Sequence, residues 1–163
     1  MEYMLYDREL VLNILERIQS SIEQIVERSR NYHCGDDFLL SPTGVTILDS
    51  ICMQFIAIGE SLKGLDKITN GTLLVTHPEI DWKHVKGLRD IIAHHYFDID
   101  ADQIWWIIEK ELPSLKEAIA SMKKETSNII ISDKIKVLSN VEPTKSRADY
   151  KDDIMDTLSD KYY

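Results

Sequence analysis

The stretch DRELVLNILERIQSSIEQIVERSRNY, residues 7–32, decides the fold class of this 163-residue chain. Its apolar side chains recur every three or four residues, which is the spacing of one helix face. These positions are Leu10, Ile14, Ile18, Ile22 and Ile25. Since charged side chains fill the other side, the stretch predicts a long amphipathic helix that packs on a core along one face.

A second helix is predicted from Pro42 to about Leu65. Proline is favoured in the first turn of a helix, and the apolar face that follows is wide enough for contacts on more than one side. Gly64 and the Thr69-Asn70-Gly71 cluster predict its end. Residues 33–43, which precede it, are predicted to form a loop.

The third helix has a strong start signal and is predicted from Trp82 to about His95. Asp81 is a favoured N-cap residue. Ile80 and Val85 stand at the two positions of a hydrophobic staple.

A fourth helix is predicted from Asp100 to about Met122. Asp100 and Gln103 have the spacing of a capping box. Pro113 lies inside the apolar pattern, where its ring and missing N–H predict a kink or a break.

The order of these elements predicts an all-α fold, an antiparallel bundle of four to five helices joined by short loops. We assign residues 1–124 to the bundle and residues 125–163 to a C-terminal extension. Within the extension, short apolar runs at 129–131 and 135–138 predict an extended or strand-like segment. A weak helix is predicted over 150–158.

Composition narrows the functional classes. Lysine and arginine total 19 and aspartate and glutamate total 28, so the formal net charge is −9. This excludes a basic surface that binds nucleic acid over its whole area and leaves room only for a local patch. The apolar share of 44% supports a true core and excludes general disorder.

Cysteine usage and the N-terminal residues bear on the compartment. Cys34 and Cys52 make neither a disulfide framework nor a zinc site, so we expect reduced thiols in a cytoplasmic protein. The acidic N-terminus lacks the apolar core of a signal peptide. The most apolar stretch, residues 50–59, is shorter than the roughly 18 residues that a membrane helix needs, so no membrane partner is expected.

The stretch GLRDIIAHHYF, residues 87–97, carries most of the chemistry. On an ideal helix with about 100° per residue, four of its side chains share an arc that predicts the buried face. They are Leu88, Ile91, Ile92 and His95. Arg89 and Tyr96 border that face two turns apart.

A small basic patch is predicted on the same helix. Lys83, Lys86 and Arg89 supply positive charge, and Trp82 and Tyr96 supply aromatic rings for stacking on bases. In an acidic protein this patch is the place where we expect a phosphate to bind.

Asp90 and His94 are neighbours at i and i+4, so the carboxylate could orient or charge-stabilise the imidazole. Ordinary structural roles stay open at this stage. His94 could be an exposed residue at a helix end, His95 a packed core histidine, and Arg89 a salt-bridge residue.

Glu60 is an acid within an apolar helix, and it is either an exposed residue or a partner for a cation such as Arg89. No metal ligand set is visible, because His33, His77 and His84 lack partners at the required spacing.

Arg89, His94 and Tyr96 match the R-x4-H-x-Y motif of HepT-like toxins, which belong to the HEPN superfamily of helical ribonucleases. The flanking stretches resemble the same family in the same order, over roughly residues 5–122. These stretches are AIGE at 57–60, IDW at 80–82, GLRD at 87–90, YFDID at 96–100, IW at 104–105 and LPSL at 112–115.

The resemblance implies a HEPN-like bundle that acts as a metal-independent endoribonuclease, without a cofactor, in a type VII-like toxin–antitoxin pair. It implies a homodimer or higher homo-oligomer whose two motifs meet at a cleft. It also implies a nucleotidyltransferase antitoxin of the MNT type, which adds AMP to the motif tyrosine, here Tyr96. Such a negative adduct beside Arg89 would block a phosphate site.

The residue chemistry fits that reaction. RNA carries its own nucleophile, the 2′-hydroxyl, so the protein has to move a proton and stabilise charge on the phosphate. His94 is suited to the first task and Arg89 to the second. Asp90 and Tyr96 are the supporting residues, and Lys83, Lys86 and Trp82 are the predicted RNA-binding residues.

One geometric difficulty follows from the helix itself. Arg89 and His94 differ by about 140° on an ideal helix, so they do not converge on one phosphate. Either the helix loosens near Ala93 or the site is completed across a two-fold axis, and we expect both. A non-catalytic nucleotide-binding or scaffold subunit of a nucleotidyltransferase complex is the alternative function.

Overall fold

The computed structural model describes residues 6–94 and 98–139, which form helices and connecting turns without a strand. The helices are α1 (Arg8–Ser29), α2 (Gly35–Leu39), α3 (Pro42–Ile68), α4 (Trp82–His94), α5 (Ala101–Trp106) and α6 (Leu112–Ser139). A 3-10 turn spans Leu74–Thr76, and a π turn spans Ile107–Glu111. The predicted all-α fold is confirmed.

Capping side chains start the helices where the sequence predicts. Asp81 accepts a hydrogen bond from the His84 N–H at 3.0 Å, and Asp100 accepts bonds from the Asp102 and Gln103 N–H groups at 3.0 and 3.3 Å. Both caps satisfy backbone donors that the first turn of a helix leaves unpaired. Ser41 does the same for α3.

The core lies between α1, α3, α4 and α6. Its fully buried members include Leu15, Ile18, Ile51, Leu62, Ile92 and Ile119. The predicted stripe of α1 is correct from Ile18 onward, and Ile14 is partly buried against the core. It is wrong at Leu10, which is 43% exposed, while Val11 and Leu15 are buried. Neighbouring apolar residues satisfy helical spacing equally well there, so packing decides which of them faces inward.

Residues 33–43 differ from the predicted loop because they contain α2. Its Phe38 is completely buried and stacks on Tyr32, with the ring centroids 4.2 Å apart. A five-residue helix is too short to leave a periodic signal in the sequence. Tertiary packing of one aromatic side chain stabilises it instead.

Helix α3 contacts α1, α2 and α4. It continues past the predicted end near Leu65 to Ile68, and the turn that follows holds Asn70 and Gly71 at positive φ. By length and composition α3 could span a membrane, so the expectation that no segment is long enough is wrong. Within the fold, 39% of the most apolar segment of α3 is buried. Cys52 is one of the buried residues of this helix.

The predicted break near Pro113 is confirmed and takes the form of the π turn. Proline has no N–H to bond to the carbonyl of Glu109 four residues earlier, and its ring crowds that carbonyl. The backbone therefore widens over Ile107–Glu111 before α6 resumes regular α geometry.

The predicted extended segment over 129–138 is wrong, because α6 is helical to Ser139. β-Branched residues disfavour a helix only weakly, so a helix already under way can include them. The chain divides into two compact units after Asn128. The boundary at 124/125 stays a prediction, and the weak helix predicted over 150–158 lies outside the described residues.

Both cysteines are free thiols. Cys34 is exposed, whereas Cys52 is buried in α3. Burial, with a smaller contribution from the charge of Asp49, raises the pKa of Cys52 to about 12. This thiol is therefore protonated at neutral pH and poorly reactive.

Candidate active site

The candidate site lies where α4 crosses α3. Gly59 of α3 faces the backbone of α4, and a Cβ atom placed on it would lie 2.7 Å from Cβ of Arg89 and 3.5 Å from the carbonyl oxygen of Lys86. Only a residue without a side chain permits this approach. The close crossing brings Glu60, the next residue, within reach of the Arg89 side chain.

Arg89 is held between two carboxylates. Its Nε lies 2.6 Å from Oε1 of Glu60, and its Nη1 donates a hydrogen bond of 2.6 Å to Oδ1 of Asp90. The Nε contact is an ion pair whose angle does not meet hydrogen-bond geometry. The Asp90 hydrogen bond and the charge of Glu60 raise the pKa of Arg89, so the guanidinium stays cationic.

Lys63 completes this group, which we call the Arg89 cluster: Glu60, Lys63, Arg89 and Asp90. Nζ of Lys63 lies 3.2 and 3.4 Å from the two carboxylate oxygens of Asp90 and 4.0 Å from Glu60. The hydrogen bond from Arg89, followed by that from Lys63, lowers the pKa of Asp90. Two cations and two carboxylates thus balance at the α3–α4 crossing.

The cluster is open to solvent. The side chains of Glu60 and Arg89 are 52% and 36% exposed. Glu60 is therefore exposed and also pairs with Arg89, so both of the roles predicted for it are found. The Arg89 side chain is thus partly exposed, although its Nε atom is buried.

The predicted basic patch is only partly available to a ligand. Lys86 forms a 2.8 Å ion pair with Asp66 of α3, and the indole N–H of Trp82 donates to the carbonyl of His77 at 2.9 Å while its ring is half-buried. Lys83 is exposed. Trp82 thus has a structural contact that its sequence position does not reveal.

His94 ends the described part of α4 and is exposed. The Asp90 carboxylate is held by Arg89 and Lys63, and among the described residues no hydrogen bond joins it to His94. The predicted orientation of His94 by Asp90 is therefore absent from this geometry. Tyr96 and His95 lie outside the described residues.

The geometry of α4 bears on how Arg89 and His94 could cooperate. Residues 82–94 are continuously α-helical, so the expected loosening near Ala93 is wrong for this stretch. Of the predicted buried face, Leu88 and Ile92 are buried but Ile91 is 46% exposed. Ile91 lay at the edge of the predicted arc, and the surrounding helices do not cover it.

Two further histidines, His77 and His84, pair with carboxylates. His77 lies 2.9 Å from Glu79, and His84 lies 3.3 Å from Glu111. Across the described ranges, no group of three histidine, cysteine, aspartate or glutamate side chains could hold a metal ion.

Sequence reasoning missed two participants, Lys63 and Asp66, which bind α4 from α3. Their only sequence signal is a spacing of three and six residues from Glu60. The pairing partners lie more than 19 residues away, and helix packing alone brings them together.

Comparison with known proteins identifies a family for most of this chain. Residues 18–122 match the family described as Ribonuclease HepT-like. No solved structure gave a significant match.

Three relatives illustrate the similarity. The chain is 31% identical over 111 residues to "Probable ribonuclease HepT" of Thermococcus cleftensis. This alignment covers 68% of this chain and 93% of that protein. The chain is 30% identical over 105 residues to a "Putative RNase" of Caldanaerobacter subterraneus, covering 64% and 87% of the two chains. A Methanocaldococcus jannaschii protein named "Gamma-glutamylcyclotransferase and putative RNase" is 31% identical over 111 residues, or 68% of this chain, which spans about half, 46%, of that protein.

Proposed function

The chain belongs to the HepT-like ribonuclease family, and we propose that it is an endoribonuclease whose phosphate site is Arg89 and whose proton-transfer group is His94. The observation that carries this proposal is the position of Arg89. The permanently charged guanidinium of this partly exposed side chain is fixed at the α3–α4 crossing, on the same helix as an exposed His94.

The proposed reaction needs no group beyond the RNA and these side chains. His94 accepts the proton of the 2′-hydroxyl, the 2′-oxygen bonds to phosphorus, and the bond to the 5′-oxygen breaks. The leaving 5′-oxygen takes a proton from the His94 imidazolium, so the products are a 2′,3′-cyclic phosphate and a 5′-hydroxyl and His94 returns to its neutral form. Arg89 stabilises the charge that grows on the phosphate oxygens.

We place the complete site across a homodimer axis. Because α4 stays regular through His94, Arg89 and His94 of one chain point about 140° apart. A two-fold axis would bring Arg89 of one chain to His94 of the other. Ile91, an exposed apolar residue three positions before His94, supports a subunit contact on this face.

The test of the activity uses total bacterial RNA, which offers many sequences, in buffer with EDTA. We expect the purified chain to cut the RNA and to leave 2′,3′-cyclic phosphate ends. Stable nucleotide or protein binding without any cleavage would favour the alternative, a scaffold subunit of a nucleotidyltransferase complex.

We further propose that a nucleotidyltransferase of the MNT type silences the enzyme by adding AMP to Tyr96. The proposal follows from the R-x4-H-x-Y motif, and its physical basis is the phosphate charge that the adduct would bring next to the Arg89 site. Intact-mass analysis of the chain produced with such a partner should reveal an added AMP that maps to Tyr96. An unmodified mass, with full activity, would contradict it.

A further inference from the structure

Glu60 is the one member of the Arg89 cluster that comes from α3 and carries a negative charge. The proposed reaction has no step for it, because neither proton transfer nor phosphate binding uses this carboxylate. Yet its Oε1 lies 2.6 Å from Nε of Arg89, the atom that a phosphate would approach from the side.

The contacts of Arg89 restrict how it can hold a phosphate. A guanidinium holds a phosphate through two parallel N–H groups, either on Nε and Nη2 or on Nη1 and Nη2. Glu60 stands against Nε of the first pair at 2.6 Å, and Asp90 accepts one of the two N–H groups of Nη1 in the second pair. A two-pronged grip on RNA through Nε and Nη2 therefore requires that Glu60 leave.

Asp90 is the more firmly held of the two. Besides Arg89, it receives both Lys63 contacts, at 3.2 and 3.4 Å, and it lies on the same helix as Arg89, one residue away. Its departure would break contacts to two cations.

Glu60 is held more loosely. It lies 4.0 Å from Lys63, and its contact with Arg89 is poorly aligned for a hydrogen bond. Its side chain is 52% exposed, so the carboxylate can move into water without a burial cost.

We infer that Glu60 is a displaceable occupant of the Arg89 phosphate site, and that RNA binds by exchanging this carboxylate for a phosphate oxygen. The inference rests on the proposed function in that the incoming ligand is the RNA phosphodiester. Glu60 thereby lowers the affinity of Arg89 for weak anions and makes binding depend on further contacts along the RNA.

The experiment measures the Kd of a fluorescent 2′-O-methyl RNA, which lacks the nucleophile and is not cleaved, by anisotropy. Glu60→Gln keeps the shape of the side chain and removes its charge. We expect its Kd to fall about two- to fivefold, the factor that an exposed ion pair contributes. Glu60→Ala should shift the Kd in the same direction.

Asp49→Asn is the matched control. Asp49 lies on α3 eleven residues before Glu60, hence on the same face and about 16 Å away. The Asp49→Asn substitution removes the same charge, but at a distance where salt screens its effect on Arg89. We expect its Kd to equal that of the wild type. An equal fall in the Asp49 variant would assign the effect to net charge and overturn the inference.

The Arg89→Ala variant tests the phosphate site separately from the exchange of Glu60 for a phosphate. If this variant binds RNA more weakly and Glu60→Gln fails to tighten binding, the exchange is wrong and the phosphate site stands. If Arg89→Ala binds as the wild type does, the phosphate site itself is wrong and the exchange falls with it. Thermal melts of each variant confirm that it is folded.

Discussion

Replacing His94 with alanine is expected to lower the rate of RNA cleavage about 100- to 10,000-fold, the usual contribution of a general acid or base. Replacing Arg89 with alanine is expected to lower it about 100- to 1,000-fold, because a charge-stabilising donor to the phosphate is lost. Both residues are at least partly exposed, so the folded state should survive. Initial rates on total RNA in EDTA measure the effect.

Matched surface variants serve as controls for these losses. His33 is an exposed histidine and Arg30 an exposed arginine, and both lie outside the Arg89 cluster. Their alanine variants should cleave RNA at the wild-type rate. Equal activity of His94→Ala and wild type would remove His94 from the mechanism.

The second large effect is expected at Gly59. A Cβ at this position would lie 2.7 Å from Cβ of Arg89, an atom next to the backbone that cannot rotate away. Gly59→Ala must therefore push α4 from α3, at a cost of about 1–3 kcal/mol in the free energy of unfolding. Since Arg89 moves with α4, cleavage should fall as well.

Gly64→Ala is the control on the same helix, because a Cβ there meets no atom within 4 Å. Alanine stabilises a helix interior by about 0.5–1 kcal/mol relative to glycine. The two variants should therefore shift the unfolding midpoint in urea in opposite directions. A Gly59→Ala protein as stable as the wild type would contradict the close crossing.

Helix starts could be predicted from sequence because capping is local. Asp81 and Asp100 bond to backbone N–H groups two or three residues away, so a short window contains the complete signal. The same holds for the interruption before Pro113, whose cause is a missing N–H.

Other features depended on packing and could not be predicted. The first turns of α1 offered two equally spaced apolar sets, and contact with the core selected Val11 and Leu15. The runs at 129–131 and 135–138 look strand-like in isolation but continue an established helix.

Some residues of the candidate site could likewise be predicted from the sequence, whereas others depend on helix packing. The sequence pointed to Arg89 because it stands in a motif, and to Glu60 because an acid is unusual in an apolar stretch. The contacts of Lys63 with Asp90, across 27 residues, arise only when α3 and α4 cross. For that reason the sequence suggested an Asp90–His94 pair, whereas the structure directs Asp90 to two cations.

In the proposed homodimer, Arg89 of one subunit and His94 of the other act on the same phosphodiester. The most direct measurement mixes the Arg89→Ala and His94→Ala proteins, exchanges their subunits and records RNA cleavage in EDTA. Half of the dimers would then be mixed, and each would carry one intact site of two, so about a quarter of the wild-type rate should return. A mixture as inactive as its two components, with wild-type protein active beside it, would contradict the claim.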